Sequence, residues 1–149
     1  MTDDPTEATI APDDDGRDLM EALDPAACAR LLAATEFGRL AVVEDGRPRI
    51  VVLNHFAEDG YVLFRTRDDV FLARLIGAGA IDVVYEVDGA FPVGRTGWSV
   101  IVAGSLVRET DPARIVSARE RLATWAEGHR DLVLRLDVQE ITGRRVGRG

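Results

Sequence analysis

The chain contains no lysine: all 18 of its basic side chains are arginines. This absence excludes lysine Schiff-base chemistry and the lysine anchor that many phosphate sites use. An anion that binds to this protein must therefore be held by arginine, by hydroxyl groups or by backbone N–H groups.

Cysteine and histidine are also scarce. Cys28 is the only cysteine, so the chain can form neither an internal disulfide nor a cysteine-cluster metal site. Cys28 lies in a predicted helix with no activating base beside it, which indicates a buried core thiol. The two histidines, His55 and His129, have no cysteine or paired carboxylate nearby in the sequence. We therefore expect no metal site.

Three further features that the sequence lacks exclude other classes of protein. No apolar run reaches the ~18–20 residues that span a membrane. The N-terminus is acidic, whereas a secretory signal is basic and then apolar. The net charge is −8, and a nucleic-acid partner would need a basic surface. We therefore expect a cytoplasmic protein with no membrane or nucleic-acid partner.

The length of 149 residues indicates one folded domain. Residues 1–18 hold clustered aspartates and few apolar side chains, which predicts a disordered acidic tail. The folded domain is expected over residues 19–149, and its last residues, from 144 onward, are expected to be a basic tail.

Apolar runs bounded by turn signals predict strands, and they do so at residues 38–44, 49–56, 61–66, 81–87, 97–107 and 132–136. Asp-Gly pairs after residues 44 and 58 predict tight hairpins. Residues 88–96 are expected to form a loop. Such short connections favour an antiparallel sheet, because parallel strands need long crossovers. Closure into a barrel would remove the exposed edges, so we expect a mainly β protein.

Helices are expected at three places. Asp-Pro pairs at residues 24–25 and 111–112 are typical helix starts. Aspartate caps free N–H groups, and proline at the first position sacrifices no helical hydrogen bond. In the second of these helices, apolar residues up to Trp125 recur at helical spacing. A short helix over residues 70–76 is expected to end at Gly77.

The first candidate site lies where a predicted strand meets this short helix. A guanidinium at Arg65, a hydroxyl at Thr66 and free helix N–H groups would converge there, which are the ingredients of an anion or phosphate site. The alternative is that Arg65 pairs with Asp68 or Asp69 on the surface, and the spacing alone favours that alternative.

Two other segments carry polar or aromatic side chains at strand ends. Asn54 and His55 end an apolar strand, where polar residues often face a pocket. His55 could donate a proton or bind haem iron, or it could face water at the barrel rim. Trp98 and Ser99 point to opposite faces of the long strand. A flat heteroaromatic ring could lie against that strand, or Trp98 could simply fill the core.

Taken in order, these segments resemble a known family. The motifs Phe-Gly-Arg-Leu-Ala-Val at residues 37–42, Phe-Arg-Thr at 64–66 and Gly-Trp-Ser-Val at 97–100 look like the pyridoxamine 5′-phosphate oxidase-like proteins. These are FMN-binding split β-barrels, and the likeness is to their small actinobacterial-type branch. It covers roughly residues 23–146. The resemblance implies a six-stranded antiparallel split β-barrel with a few short flanking helices, and a homodimer with cofactor sites at the subunit interface.

The resemblance also implies roles for individual residues. Arg65 and Thr66 match the flavin-phosphate corner, and Asn54 matches the wall near the isoalloxazine ring. Trp98 and Ser99 match a cofactor-contacting strand, partly supplied by the partner subunit.

At one point the sequence departs from the family pattern. The family usually places a hydroxyl residue and then a lysine at the start of the short helix, where this chain has Val70 and Phe71. Two charge-assisted contacts are thereby lost, each worth about 1.5–3 kcal/mol. FMN binding then requires that Arg67 or Arg74 substitutes, and Arg74 lies one helical turn beyond Val70.

The expected function is that of an FMN-binding flavoprotein, an oxidoreductase acting on an unidentified small molecule. One alternative is an F420-dependent reductase that holds the acidic tail of the deazaflavin with Arg65, Arg67 and Arg74. The other is a dimeric binding module without catalysis, which either binds haem through His55 or carries no cofactor.

Overall fold

The computed structural model describes residues 19–67, 71–77, 79–91, 96–122 and 131–147, which form seven strands and three helices. The elements are, in chain order, β1 (Leu19–Leu23), α1 (Pro25–Ala33), β2 (Phe37–Glu44), β3 (Arg47–Glu58), β4 (Tyr61–Arg67), α2 (Phe71–Ile76), β5 (Ala80–Phe91), β6 (Thr96–Arg108), α3 (Pro112–Arg121) and β7 (Asp131–Gly147).

Six of the strands close into a ring. Their order is β7-β4-β3-β2-β5-β6, and β6 pairs again with β7. All of these pairings are antiparallel. Closure leaves none of these six strands as an unpaired edge. The prediction of a mainly β, six-stranded antiparallel split barrel is therefore confirmed.

The prediction misses the strand β1 and most of β7. β1 pairs with the end of β7, with Leu23 opposite Gly143 and Leu19 opposite Gly147. Residues 144–147, expected in a basic tail, are therefore part of a strand. The run around Thr142 and Arg144 is polar or small at most positions, so the usual apolar strand signal is absent there.

The expected loop over residues 88–96 is also largely wrong. β5 continues to Phe91 and β6 begins at Thr96, and these two residues are still paired with each other. Residues 92–95 lie outside the described part of the chain. The glycines in this stretch are typical of loops, yet Gly89 lies within β5 opposite Trp98.

The structure confirms the predicted hairpin turn at Asp45-Gly46, the capped start of α1 and the end of α2. Asp45 and Gly46 both have positive φ, as a two-residue hairpin turn of this kind requires. The Asp24 carboxylate accepts a hydrogen bond from the Ala27 N–H at 2.7 Å and so caps α1. Gly77, with φ of 55°, ends α2.

The start of α3 is held differently from the prediction. Asp111 precedes the helix, but its side chain makes no capping bond. The buried carboxylate of Glu109 instead accepts hydrogen bonds from the N–H groups of Thr110 and Asp111, both at 3.0 Å. Arg135 of β7 donates to both Glu109 oxygens at 2.9 Å. These contacts lower the pKa of Glu109 despite its burial and tie α3 to the barrel.

The main core lies inside the ring and includes the fully buried Tyr85 and Phe64. α1 packs on this core through Cys28, which is completely buried, so the prediction of a core thiol is confirmed. Burial raises the pKa of that thiol. A second cluster lies outside the ring, where α3 covers Leu63 of β4. Among the described residues, no helix is long and apolar enough to cross a membrane.

Gly38 of β2 marks a place where the sheet leaves no room for a side chain. A Cβ there would collide with the backbone oxygen of Glu86 and would lie 2.7 Å from the Tyr85 ring. We expect Gly38→Ala to lower the free energy of unfolding by about 1–3 kcal/mol, measured by urea denaturation. Gly147→Ala is the control, since its Cβ would meet only Thr96 at an ordinary 3.5 Å. Equal losses in both variants would contradict this account.

Candidate functional site

The outer surface of strands β3, β2, β5 and β6, which we call the outer face, is unusually apolar for an exposed surface. Ile50 is 72% exposed, Val52 63% and Phe37 56%. The other large apolar side chains exposed on the same strands are Val43, Val84 and Ile101. A contiguous apolar patch of this kind marks a surface that another molecule covers.

One ionic cluster interrupts the outer face. Arg39 of β2 donates to Glu86 at 3.0 Å and to Asp88 at 2.9 Å, both on β5. These ion pairs raise the pKa of Arg39, with the contribution of Asp88 the largest. The arginine thereby links β2 to β5 on the outer face.

Asn54 and Ser99 lie on the outer face at some distance from each other. Asn54 of β3 alternates with the buried Leu53 and His55, and it is paired with Phe37. Ser99 of β6 is paired with Asp88. β2 and β5 lie between them, so the two side chains are about 14 Å apart at the usual spacing of strands. The structure places them on one face but does not bring them into contact.

Arg65 and Thr66 do not converge as expected. Adjacent residues of a strand point to opposite sides, and Arg65 shares the outer side of β4 with Leu63. Its guanidinium donates to the carbonyl of Leu122 at 2.8 Å and to that of Arg119 at 3.3 Å. Carbonyls at a helix end carry partial negative charge, which favours this position for an arginine. The expected convergence is therefore wrong, while the role of both residues in cofactor binding stays a prediction.

Several residues of the sequence-based hypotheses lie outside the described residues, namely Asp68, Asp69, Val70, Trp125 and His129. The pairing of Arg65 with either aspartate therefore stays a prediction. Arg67 ends β4 and Arg74 lies in the last turn of α2, and both are exposed.

The cation that the structure places on Phe71 is Arg49, which the sequence does not predict as a site residue. Its guanidinium carbon lies 4.1 Å from the centroid of the Phe71 ring. Its Nη1 also donates to Glu44 at 2.7 Å. Phe71 itself packs against the core at the start of α2. This contact joins β3 to α2, and no local pattern in the sequence predicts a contact between these two segments.

Trp98 fills space inside the barrel, in agreement with the core alternative. Its indole covers Gly89 so closely that a Cβ there would lie 2.7 Å from indole atoms. The side chain is half-buried and packs against the core. Trp98 therefore lies on the opposite side of β6 from Ser99, as the alternation predicts.

His55 is buried, with only 4% of its surface exposed. Its Nδ1 lies 2.6 Å from the Tyr85 hydroxyl, and its Nε2 lies 2.9 Å from the Leu32 carbonyl oxygen. Because a carbonyl only accepts, Nε2–H donates to Leu32. The Tyr85 hydroxyl, which lies against Nδ1, also donates to the Leu53 carbonyl at 3.1 Å. Both ring nitrogens are therefore occupied. The expectation of haem ligation through His55 is wrong, and so is that of a rim histidine facing water.

The physical reason is that β3 turns His55 inward beneath the end of α1. Thr35 also donates to the Leu32 carbonyl, at 2.9 Å. Burial lowers the pKa of His55, which the hydrogen bond to Leu32 opposes in part. Burial raises the pKa of Tyr85. The pair is thus neutral and ties α1 to β3 and β5.

A closed ring of six antiparallel strands with short helices at its margins defines a split β-barrel. A sequence model of the pyridoxamine 5′-phosphate oxidase family matches residues 24–145, most of the chain. The protein belongs to this family, as the motifs at residues 37–42, 64–66 and 97–100 predict.

Individual relatives agree with this assignment. An uncharacterized protein of Mycobacterium tuberculosis is 32% identical over 133 residues, covering 87% of each chain. The structure of an FAD-binding protein from Mycobacterium smegmatis is 28% identical, with a TM-score of 0.69, and the match covers 85% of this chain and 97% of that one. An FAD-binding protein from Mesorhizobium loti shares the fold at 23% identity, with a TM-score of 0.72 and coverage of 85% and 98%.

The neutral His55 makes stability depend on pH. Because the pKa of His55 is lower in the folded state than its ordinary value of 6.5, the unfolded chain binds the additional proton. The contribution of His55 is therefore fully present above pH 6.5 and is lost as the pH falls from there toward the folded-state pKa. We expect the melting temperature to fall over this range, measured by circular dichroism.

The control for this experiment is His55→Gln, whose amide can still donate to Leu32 but does not titrate. Its melting temperature should change less between pH 6.5 and 5.5 than that of the wild-type protein. Parallel curves for the two proteins would exclude His55 as the source of the pH dependence.

Proposed function

We propose that this protein binds a flavin nucleotide non-covalently between two copies of the chain and acts as a flavin-dependent oxidoreductase on a small molecule. The observation that carries the proposal is the outer face, an exposed apolar sheet surface with a carboxamide at one end and a hydroxyl at the other. A flat ring system with one polar edge suits such a surface, because the sheet supplies apolar contact and Asn54 supplies hydrogen bonds.

A homodimer follows from the same surface. Ile50, Val52 and Val84 remain exposed on the single chain, and pairing of two outer faces around a two-fold axis would bury them. A ring held at Asn54 of one copy lies about 14 Å from Ser99 of that copy. In a two-fold dimer, β6 of the partner subunit can contact the ring instead.

The residues at the expected phosphate position fit FMN, the cofactor that the sequence predicts, less well than the apolar wall fits its ring. A terminal phosphate carries close to two negative charges at neutral pH. The start of α2 offers Phe71 there, and Arg65 is turned toward α3. Thr66 keeps a hydroxyl available for one phosphate oxygen. FAD satisfies the apolar wall equally well, and a relative of 28% identity is an FAD-binding protein. F420 would need a basic groove, to which Arg67 and Arg74 are the exposed contributors.

The bound flavin supplies the redox chemistry, and the protein supplies binding and orientation. Asn54 orients the ring, while Ile50 and Val52 exclude water from its face. We propose no residue as general acid or base, so no single side chain is expected to be indispensable for electron transfer.

The direct test is the visible spectrum of the protein as purified, followed by titration with FMN, FAD and F420. We expect a flavin spectrum and saturable flavin binding. Asn54→Ala should weaken flavin binding about tenfold, as the loss of a hydrogen bond worth about 1.4 kcal/mol does. Val116→Ala, which shortens an exposed side chain on α3, away from the outer face, is the control. A protein that stays colourless after incubation with either flavin and desalting would overturn the proposal.

The dimer is tested separately with Ile50→Asp. The side chain is exposed on the single chain, so the fold should persist, but a charge in the proposed interface is costly to bury. We expect the dimer dissociation constant to rise at least about a hundredfold, the equivalent of about 2.8 kcal/mol, in sedimentation experiments. Val116→Asp on α3, also an exposed position, should leave the dimer intact. Dissociation by both variants, or by neither, would exclude the outer face as the interface.

A further inference from the structure

The Tyr85 hydroxyl contacts both residues that flank Asn54, the side chain proposed to bind the flavin ring. It donates to the Leu53 carbonyl at 3.1 Å, and its oxygen lies 2.6 Å from Nδ1 of His55. Successive residues of a strand point to opposite sides, so Leu53 and His55 are buried in the barrel while Asn54 faces outward. One buried hydroxyl therefore restrains β3 on both sides of Asn54.

The pairing of β3 with its neighbours changes at Asn54. Its pairing with β2 ends where Asn54 meets Phe37, the first residue of β2. Its pairing with β4 begins one residue later, where His55 meets Phe64. Among the described strands, only β2 is paired with Asn54 itself. The contacts of Tyr85 thus fall at the point where β3 passes from one neighbouring strand to two.

A glycine lets Tyr85 reach this part of β3. Tyr85 lies on β5, and β2 runs between β5 and β3. Gly38 of β2 is paired with Leu53, and a Cβ at Gly38 would lie 2.7 Å from the Tyr85 hydroxyl oxygen. The end of the tyrosine ring therefore occupies the space that a side chain at residue 38 would take. This is how the hydroxyl reaches a carbonyl two strands away.

The ring of Tyr85 is fixed as well as its hydroxyl. The side chain is fully buried and makes edge-to-face contacts with His55 and Phe64, at centroid distances of 5.2 and 4.8 Å. Burial raises the pKa of Tyr85, so the hydroxyl keeps its hydrogen and remains a donor at neutral pH. The hydroxyl therefore has a defined position from which to hold β3.

We propose that Tyr85 is a positioning residue of the flavin site, acting on Asn54 through Leu53 and His55. The inference rests on the proposed function, because the contact that Tyr85 improves is that of Asn54 with the flavin ring. A hydrogen bond weakens steeply when its geometry is wrong, so a carboxamide binds well only where its backbone is held in place. Tyr85 lies in the core, so its effect on the flavin must pass through these neighbours.

The experiment is a double-mutant cycle on flavin affinity, measured by quenching of flavin fluorescence in titrations with FMN and with FAD. Tyr85→Phe, which removes only the hydroxyl, should weaken binding about fivefold, the equivalent of about 1 kcal/mol. Asn54→Ala alone should weaken it about tenfold. In the double variant the loss should stay about tenfold, because Tyr85 acts through Asn54, whereas independent effects would multiply to about fiftyfold.

Tyr61→Phe is the matched control, because Tyr61 is the only other tyrosine of the chain and lies outside the ring against Arg114. It should leave flavin affinity within about twofold of the wild-type value. If Tyr85→Phe does not fold, His55→Gln replaces it in the cycle, since that change removes one of the two contacts of the hydroxyl. The same non-additivity with Asn54→Ala is expected.

Unchanged affinity in Tyr85→Phe, or multiplied losses in the double variant, would overturn the positioning role while the flavin function stands. If the wild-type protein binds neither flavin, or if Asn54→Ala binds flavin normally, the proposed site itself fails and the positioning role fails with it.

A measurement without flavin separates positioning from a general loss of stability. The His55 N–H donates to the Glu36 carbonyl at 2.9 Å. In Tyr85→Phe this amide should exchange its hydrogen with solvent at least about fivefold faster. The Glu109 N–H, which donates to the Val133 carbonyl at 2.9 Å beside α3, should change by less than about twofold. Equal acceleration of both amides would show that the hydroxyl stabilises the whole fold, and it would exclude the positioning role.

Discussion

The architecture depends on the double pairing of β7. One half of this strand pairs with β4 and most of its length pairs with β6, so β7 is the strand that turns an open sheet into a ring. Closure requires that side chains on one surface of all six strands meet inside, and Tyr85, Phe64 and Leu134 do so with no exposure to solvent. The opposite surface is then left to helices or to another molecule. α3 covers it at β4, whereas the outer face of β3, β2, β5 and β6 stays uncovered on the single chain.

This division determines where chemistry can occur. Among the described residues inside the ring, the buried polar side chains are paired: His55 contacts Tyr85 and the Leu32 carbonyl, and Tyr85 donates to the Leu53 carbonyl. These bonds hold α1 in place. Outside, the sheet presents apolar side chains with polar groups at its margins. The flavin site that we propose therefore lies on the exterior of the ring.

Much of the fold can be predicted from the sequence because strand pairing in this protein is mostly local. Asp45-Gly46 and its flanking apolar runs specify a hairpin within a few residues, and Asp24 specifies the start of α1. β1 and the end of β7 escape prediction because their pairing joins the two ends of the described chain, and neither segment has a continuous apolar run. The site is harder to predict for the same reason. Alternation along the strand correctly separates Trp98 from Ser99, but contacts between distant elements, such as Arg65 with α3 or Arg49 with α2, leave no local pattern.

The pairing of β1 with β7 also determines how the chain can be re-engineered. Leu19 lies opposite Gly147, so the first and last described residues are neighbours on one side of the barrel. A short linker could join them, and new chain ends could be opened at the Asp59-Gly60 hairpin without interrupting a strand. Circular permutation of this barrel is therefore geometrically simple. For the same reason, fusion partners joined directly to Leu19 or to Gly147 would emerge side by side.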